Sequence, residues 1–133
     1  MPVSELELNQ LLDFALEAQT RAYAPYSNFF VGAAILCEDG QVFTGCNVEN
    51  ASYGLAICAE RSAVCAAIAG GQKRWRAIAV ASRGAVTPCG ACRQVLHEFG
   101  GALEVILVDG ESRQVRSRWT AELLLPGAFV LDR

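Results

Sequence analysis

No apolar run in this chain of 133 residues comes near the roughly 20 needed to cross a bilayer; the longest extends only from Phe29 to Cys37. The N-terminus also lacks the basic and then apolar order of a secretory signal, since Met1-Pro-Val-Ser-Glu-Leu-Glu-Leu is acidic and polar. Together these absences exclude a membrane partner and lead us to expect a cytoplasmic protein. A basic surplus is missing as well: 11 Lys and Arg stand against 14 Asp and Glu, for a net charge of -3. A polyanion binder must neutralise phosphates, so no nucleic-acid partner is expected. Two local basic clusters, Lys73 to Arg76 and Arg113 to Arg118, read as solvated loops or strand ends. Repeats, linkers and low-complexity segments are absent too, so a single domain over residues 1–133 is expected.

What the chain does have is apolar material, 53% of residues against 19% charged, which is ample for a core. It also has six cysteines, Cys37, Cys46, Cys58, Cys65, Cys89 and Cys92. Thiols stay reduced in the cytosol, and a chain with this much apolar sequence needs no disulfide staples. Metal binding or catalysis is the better reading for some of them. Cys37, Cys46 and Cys65 read as small buried apolar residues.

The order of elements alternates. Ser4 to about Arg21 reads as a helix, with Ser4 and Glu7 as a capping box and Leu8, Leu11, Leu12, Ala15 and Leu16 on one face. Phe29 to Cys37 and Gln41 to Cys46 read as a hairpin around Glu38-Asp39-Gly40. Asn47 to Leu55 has no period and reads as a loop. Cys58 to Ala69 and Gly90 to Phe99 read as helices, with strands at Arg76 to Ala81, Leu103 to Val108 and Gln114 to Arg118, and a short helix at 121–125. Such alternation predicts an α/β domain with helices covering a sheet.

The chemistry concentrates at two helix starts. Cys58-Ala59-Glu60 opens one helix and Pro88-Cys89-Gly90-Ala91-Cys92 opens another. Cysteines at i and i+3 share a helical face, so Cys89 and Cys92 can chelate one ion, with Cys58 as a third thiolate. Three protein ligands and one open position is the arrangement of a catalytic zinc, whereas a fourth cysteine would close the site. Helix starts stabilise thiolates, and the flanking Arg61 and Arg93 offer charge that offsets the excess of three thiolates on a divalent ion. Glu60, two positions after Cys58, is placed to move a proton of activated water; the alternative is a favourable anion at a helix start. His97, the only histidine, falls off the ligand face of a straight helix.

Five blocks in order resemble the small homotetrameric cytidine deaminases across nearly the whole chain. They are Tyr26-Ser27-Asn28-Phe29-Phe30-Val31-Gly32-Ala33-Ala34, Gly45 to Tyr53, Cys58-Ala59-Glu60-Arg61, Pro88-Cys89-Gly90-Ala91-Cys92-Arg93-Gln94 and Leu124-Leu125-Pro126-Gly127-Ala128-Phe129. The resemblance implies a three-layer α/β/α domain around a mixed sheet, with one Zn2+ per subunit on Cys58, Cys89 and Cys92. It implies attack of activated water at C4 of cytosine, with Glu60 as the non-ligand general acid and base. Asn47 and Glu49 match the pair that hydrogen-bonds ribose hydroxyls, and Phe29 matches an aromatic on the pyrimidine face. The Ala59 N–H suits the base carbonyl. Tyr53 and Phe129 match positions at subunit contacts, Phe129 reaching a neighbour's active site, so a homotetramer with shared sites is expected. Position 30 departs from the pattern, with Phe where Pro or a small residue is expected.

Other readings use the same residues. A structural zinc in a binding module accounts for the cysteines but leaves Glu60, Asn47 and Glu49 without a role. A redox Cys89/Cys92 pair leaves Cys58 unused. Within the deaminases, an enzyme acting on a cytosine-nucleoside antibiotic of the blasticidin type is the nearest rival to one acting on cytidine and deoxycytidine in pyrimidine salvage.

Overall fold

A computed structural model describes residues 2–132 of the chain; Met1 and Arg133, the two ends of the expected domain, lie outside the described residues. The helix α1 (Glu5–Gln19) is followed by the hairpin β1 (Gly32–Cys37) and β2 (Val42–Cys46). Next come α2 (Ala59–Ala69), β3 (Trp75–Ser82), α3 (Gly90–His97), β4 (Glu104–Asp109), β5 (Val115–Thr120) and the single turn α4 (Ala121–Leu124). The five strands form one mixed sheet in the order β2-β1-β3-β4-β5. Only β3 and β4 are parallel neighbours; every other pairing is antiparallel.

Alternation along the strands sends residues to two cores. Ala34, Leu36, Ala77, Ala79, Ala81, Ile106 and Val108 face α1, where Leu11, Ala15 and Leu16 bury. Ile35, Ile78, Val80, Val105 and Leu107 face the other way, against Ala59, Ala63, Val64 and Ala67 of α2, Leu96 of α3 and Leu124 of α4. Each fully buried Leu or Ile contributes about 1.5–3 kcal/mol of transfer free energy. The result is the expected α/β/α sandwich, α1 on one face and α2 with α3 on the other. Glycine permits two close approaches. A Cβ on Gly32 would lie 2.2 Å from the Ala15 carbonyl oxygen of α1, and one on Gly45 would lie 2.3 Å from the Ala63 nitrogen of α2.

Several boundaries shift for identifiable reasons. The capping box is present, with Glu7 N donating to Ser4 Oγ and Ser4 N to Glu7 Oε1. The helix ends at Gln19, short of Arg21, because the last turn tightens: Thr20 and Arg21 donate to the carbonyls three residues back, Glu17 and Ala18. β1 starts at Gly32 instead of Phe29, because the Asn47 side chain takes the Phe29 carbonyl and the Val31 N–H that a strand partner would have used.

Cys37 is buried and Cys46 half-buried, but Cys65 is exposed, contrary to expectation. The buried face of α2 runs through Ala59, Glu60, Ala63, Val64 and Ala67, and Cys65 points away from it. The basic clusters are ion-paired as well as solvated. Arg76 forks onto Glu7 at 2.6 and 2.8 Å, Arg118 onto Glu104 at 2.7 and 3.1 Å, and Arg116 reaches Asp109 at 3.4 Å. Trp75 is buried and stacked on Phe99, whereas Trp119 is partly exposed on the edge strand β5.

Candidate active site

The sheet topology explains why residues far apart in sequence meet. Since β1 is antiparallel to both β2 and β3, and β3 is parallel to β4, the strands β2, β3 and β4 all end at one edge. The register places Cys46 opposite Gly32, Gly32 opposite Ala81, and Ser82 opposite Asp109 along that edge. The loop after β2 leads to Cys58, the loop after β3 leads to Cys89, and Phe29 to Val31 lead into β1 at the same place. Ligand sites of α/β sheets favour the carboxyl ends of strands for this reason: the loops there converge.

Cys58 and Cys89 are the N-cap residues of α2 and α3, both in extended conformation, and Cys92 lies one turn into α3. The three sulfurs lie within 4.8 Å of one another, with Cys58 Sγ 4.0 Å from Cys89 Sγ. Thiolates arranged tetrahedrally about 2.3 Å from zinc sit roughly 3.8 Å apart, so the donor set fits that ion in both spacing and softness. Arg61, one turn after Cys58, donates from Nη2 to Cys58 Sγ at 3.3 Å. Hydrogen bonding from Cys92, and then from Arg61, holds the Cys58 thiol down at about 5 against the opposing effect of burial. The bond to Cys58 and burial push Cys92 the other way. One thiolate among these sulfurs is thus favoured before any ion binds, which is what a metal site needs.

Glu60 is 5% exposed on the first turn of α2. Burial pushes its carboxyl above the ordinary range, with the Cys58 charge acting the same way and Arg61 opposing. A helix-start anion needs no such burial, and a buried carboxyl beside the thiols is the kind of perturbed group that functional sites collect. Ala59, fully buried, is the first residue of α2, and its N–H belongs to the turn whose donors have no partner within the helix.

On the other side of the edge, Asn47 and Glu49 organise the segment before β1. The Asn47 amide accepts from Val31 N and donates to the Phe29 carbonyl, both at 2.8 Å. Glu49 accepts from Tyr26 N at 2.9 Å, from Ser27 N at 3.2 Å and from the Ser27 hydroxyl, which lower its pKa, the hydroxyl most. Ser27 Oγ in turn accepts from Phe29 N at 3.0 Å. Asn28 makes this tight bend with φ of 56°, a conformation Asn tolerates better than most residues. Tyr26, Ser27, Glu49, Asn50, Tyr53 and Ala56 line a cavity of about 350 Å³. Tyr53 itself is 80% exposed, meeting Tyr26 edge to face at 6.3 Å.

Phe129, expected to reach a neighbour's site, lies away from the site of its own chain. Phe129 is 69% exposed and lines a separate cavity with Lys73, Arg74, His97 and Phe99, tethered through its carbonyl to Gln94 Nε2 at 3.0 Å. Arg93 does not join Arg61 at the thiols; its guanidinium donates to Pro88, Thr87 and Leu124. His97 closes the far end of α3. Sequence reasoning assigned Ser27 no role, although a Ser between Tyr and Asn at a chain bend is a signal for local hydroxyl-to-backbone bonding.

The profile of the cytidine and deoxycytidylate deaminase zinc-binding region matches residues 6–108. A cytidine deaminase of Mycobacterium tuberculosis is 50% identical over 130 residues, with 96% of this chain and 93% of that one covered. One of Sporosarcina psychrophila is 43% identical over 129 residues, covering 93% and 92%. Among solved structures, cytidine deaminase from Burkholderia pseudomallei superposes with a TM-score of 0.85 at 52% identity, over 91% of this chain and 98% of that one.

Proposed function

The chain belongs to the cytidine and deoxycytidylate deaminase family, and from that membership we propose that it converts cytidine and deoxycytidine to uridine and deoxyuridine, releasing ammonia. The observation that carries this reading is the placement of buried Glu60 beside three clustered thiols at two helix starts. The whole of residues 1–133 acts as one catalytic domain. Zinc, one ion per subunit on Cys58, Cys89 and Cys92, supplies Lewis acidity that makes a water nucleophilic at neutral pH.

The chain's own residues do the rest. Glu60 takes one proton of the attacking water on its carboxylate and delivers it to N3 of the pyrimidine. It then takes the remaining proton from the new C4 hydroxyl and passes it to the amino group, which leaves C4 as ammonia while the C4 carbonyl forms. Its burial keeps that proton from exchanging with bulk water. The Ala59 N–H holds the base carbonyl, and Phe29 covers the pyrimidine face. Asn47 keeps one N–H and one lone pair free after binding Phe29 and Val31, enough to meet a ribose hydroxyl as donor and acceptor. Glu49 accepts from a second hydroxyl. Arg61 balances the thiolate charge at Cys58.

Four copies form the working unit, in the cytoplasm, in nucleoside salvage. Support for assembly comes from two groups of exposed apolar side chains that water disfavours, Tyr53 with Leu55 and Phe129 with Val130 and Leu131. Among the described residues no helix is long and apolar enough to cross a membrane. The test is direct: purified protein with cytidine, followed by the ultraviolet change on conversion to uridine, with and without a zinc chelator. Chelator-sensitive turnover is expected. One zinc per chain without turnover on cytidine would overturn the substrate and favour the antibiotic-type deaminase, then a structural zinc.

A further inference from the structure

We infer that Arg93 is a positioning residue that sets Cys89 in the metal site by shape and not by charge. The inference rests on the proposed metal reading of Cys58, Cys89 and Cys92. Arg93 directly follows one ligand and grips the other from both sides. Its backbone N–H takes the Cys89 carbonyl at 3.0 Å, the first bond of α3, and its Nε takes the preceding carbonyl, that of Pro88, at 2.7 Å. The two peptide oxygens flanking the Cys89 backbone are therefore held by one residue.

The remaining nitrogens extend the grip. Nη2 donates to Thr87 Oγ1 at 3.0 Å and Nη1 to the Leu124 carbonyl at 2.8 Å. Leu124 ends α4, where a carbonyl has lost its helical partner and a cation is favourable. The loop 83–88 has reason to need such a clamp. Gly84 and Ala85 both have positive φ, 83° and 51°, and the Ala85 conformation is unfavourable for a residue with a Cβ. Ser82 holds the start of this loop, its Oγ accepting from Val86 N at 3.0 Å. Arg93 holds its end. A planar fork with donors in three directions suits three oxygens on two segments, the loop at Thr87 and Pro88 and the end of α4; a lysine ammonium keeps the charge but not the fork.

This separates two roles by experiment. Arg93→Lys and Arg93→Ala are compared with wild type for the rate of zinc release to an excess of chelator, with folding of the metal-free proteins checked by circular dichroism. Both variants are expected to lose zinc about 10- to 100-fold faster, as loss of groups that orient ligands does. In a milder cycle, Thr87→Val is expected to speed release several-fold in the wild-type background and to add nothing in Arg93→Lys. Should Arg93→Lys hold zinc like wild type while Arg93→Ala does not, charge is the role and the clamp is wrong. An additive Thr87→Val effect in Arg93→Lys likewise overturns the clamp, and if the Arg93 variants do not fold, an absent Thr87→Val effect on wild-type release overturns it alone. A folded wild type that binds no zinc would instead overturn the metal reading.

Discussion

Cys92 and Glu60 are buried, 0% and 5% exposed, beside a half-buried Cys58 and an exposed Cys89, and each is aimed by a helix start packed on the sheet. Around Tyr53 and Phe129 the rings stand 80% and 69% exposed on segments outside the sheet and long helices. The first region is finished within one chain. Its thiols already converge, Arg61 donates to Cys58, and its loops are tied at both ends. Near Tyr53, Glu49 and Asn47 are locked to the backbone, but that ring, like the Phe129 ring at its separate cavity, meets mainly solvent. Reactivity needs groups placed to a fraction of an ångström, which packing supplies. A rim need only be completed when a partner arrives, which fits the proposed shared sites.

The sharpest break in this comparison is Glu60→Gln. It keeps the shape of the buried region and removes the proton carrier, so kcat falls by about 10²–10⁴ or more while one zinc per chain stays bound. Loss of the zinc would show that Glu60 is a ligand and not a proton carrier. Glu49→Ala comes next. Releasing Tyr26, Ser27 and the sugar raises KM for cytidine by roughly 10- to 100-fold, since bonds to a charged group are worth about 1.5–3 kcal/mol. Cytosine analogues without ribose should be hardly affected; an equal loss for both would remove Glu49 from the sugar.

Phe129→Ala probes the rim. With a neighbour's ring completing the pocket, KM rises by up to about tenfold, or roughly 1.4 kcal/mol, and the assembly weakens in sedimentation at low concentration. An unchanged KM in an intact tetramer would detach Phe129 from the substrate. The smallest effect lies outside both regions. The Arg76 fork, foremost, and the Ser4 capping bond lower the Glu7 carboxyl from 4.5 to about 2. Its contribution to stability is complete above about pH 4.5 and is lost as pH falls towards 2. Glu7→Gln should flatten the melting temperature over that window, and an unaltered acid limb would mean the pair contributes nothing there.

Local chemistry was legible where neighbours in sequence are neighbours in space. The Ser4 and Glu7 box, the two cysteine-bearing helix starts and the proximity of Arg61 to Cys58 all follow from spacing along a helical turn. Most of the departures depend on how the chain packs. Phe29 to Val31 carry strand-like residues, yet Asn47 draws their backbone out of β1. Cys65 looks like a core residue by type, but α2 turns it outwards. Arg93 sits beside a ligand in sequence, yet its guanidinium leaves for Pro88, Thr87 and Leu124.

By itself, then, the sequence determined the candidate donor set and placed Glu60 beside it, because ligand type, i to i+3 spacing and helix-start position are local properties. It also determined the alternation that makes an α/β sandwich, since periodicity is carried by the chain. Only the tertiary structure decided that β2, β3 and β4 end at one edge and so bring Cys58 to Cys89 and Cys92. It alone decided which arginine faces sulfur and which carbonyl oxygen. Those outcomes depend on strand order and on which backbone groups remain unpaired after packing, and neither is written in the spacing of residues along the chain.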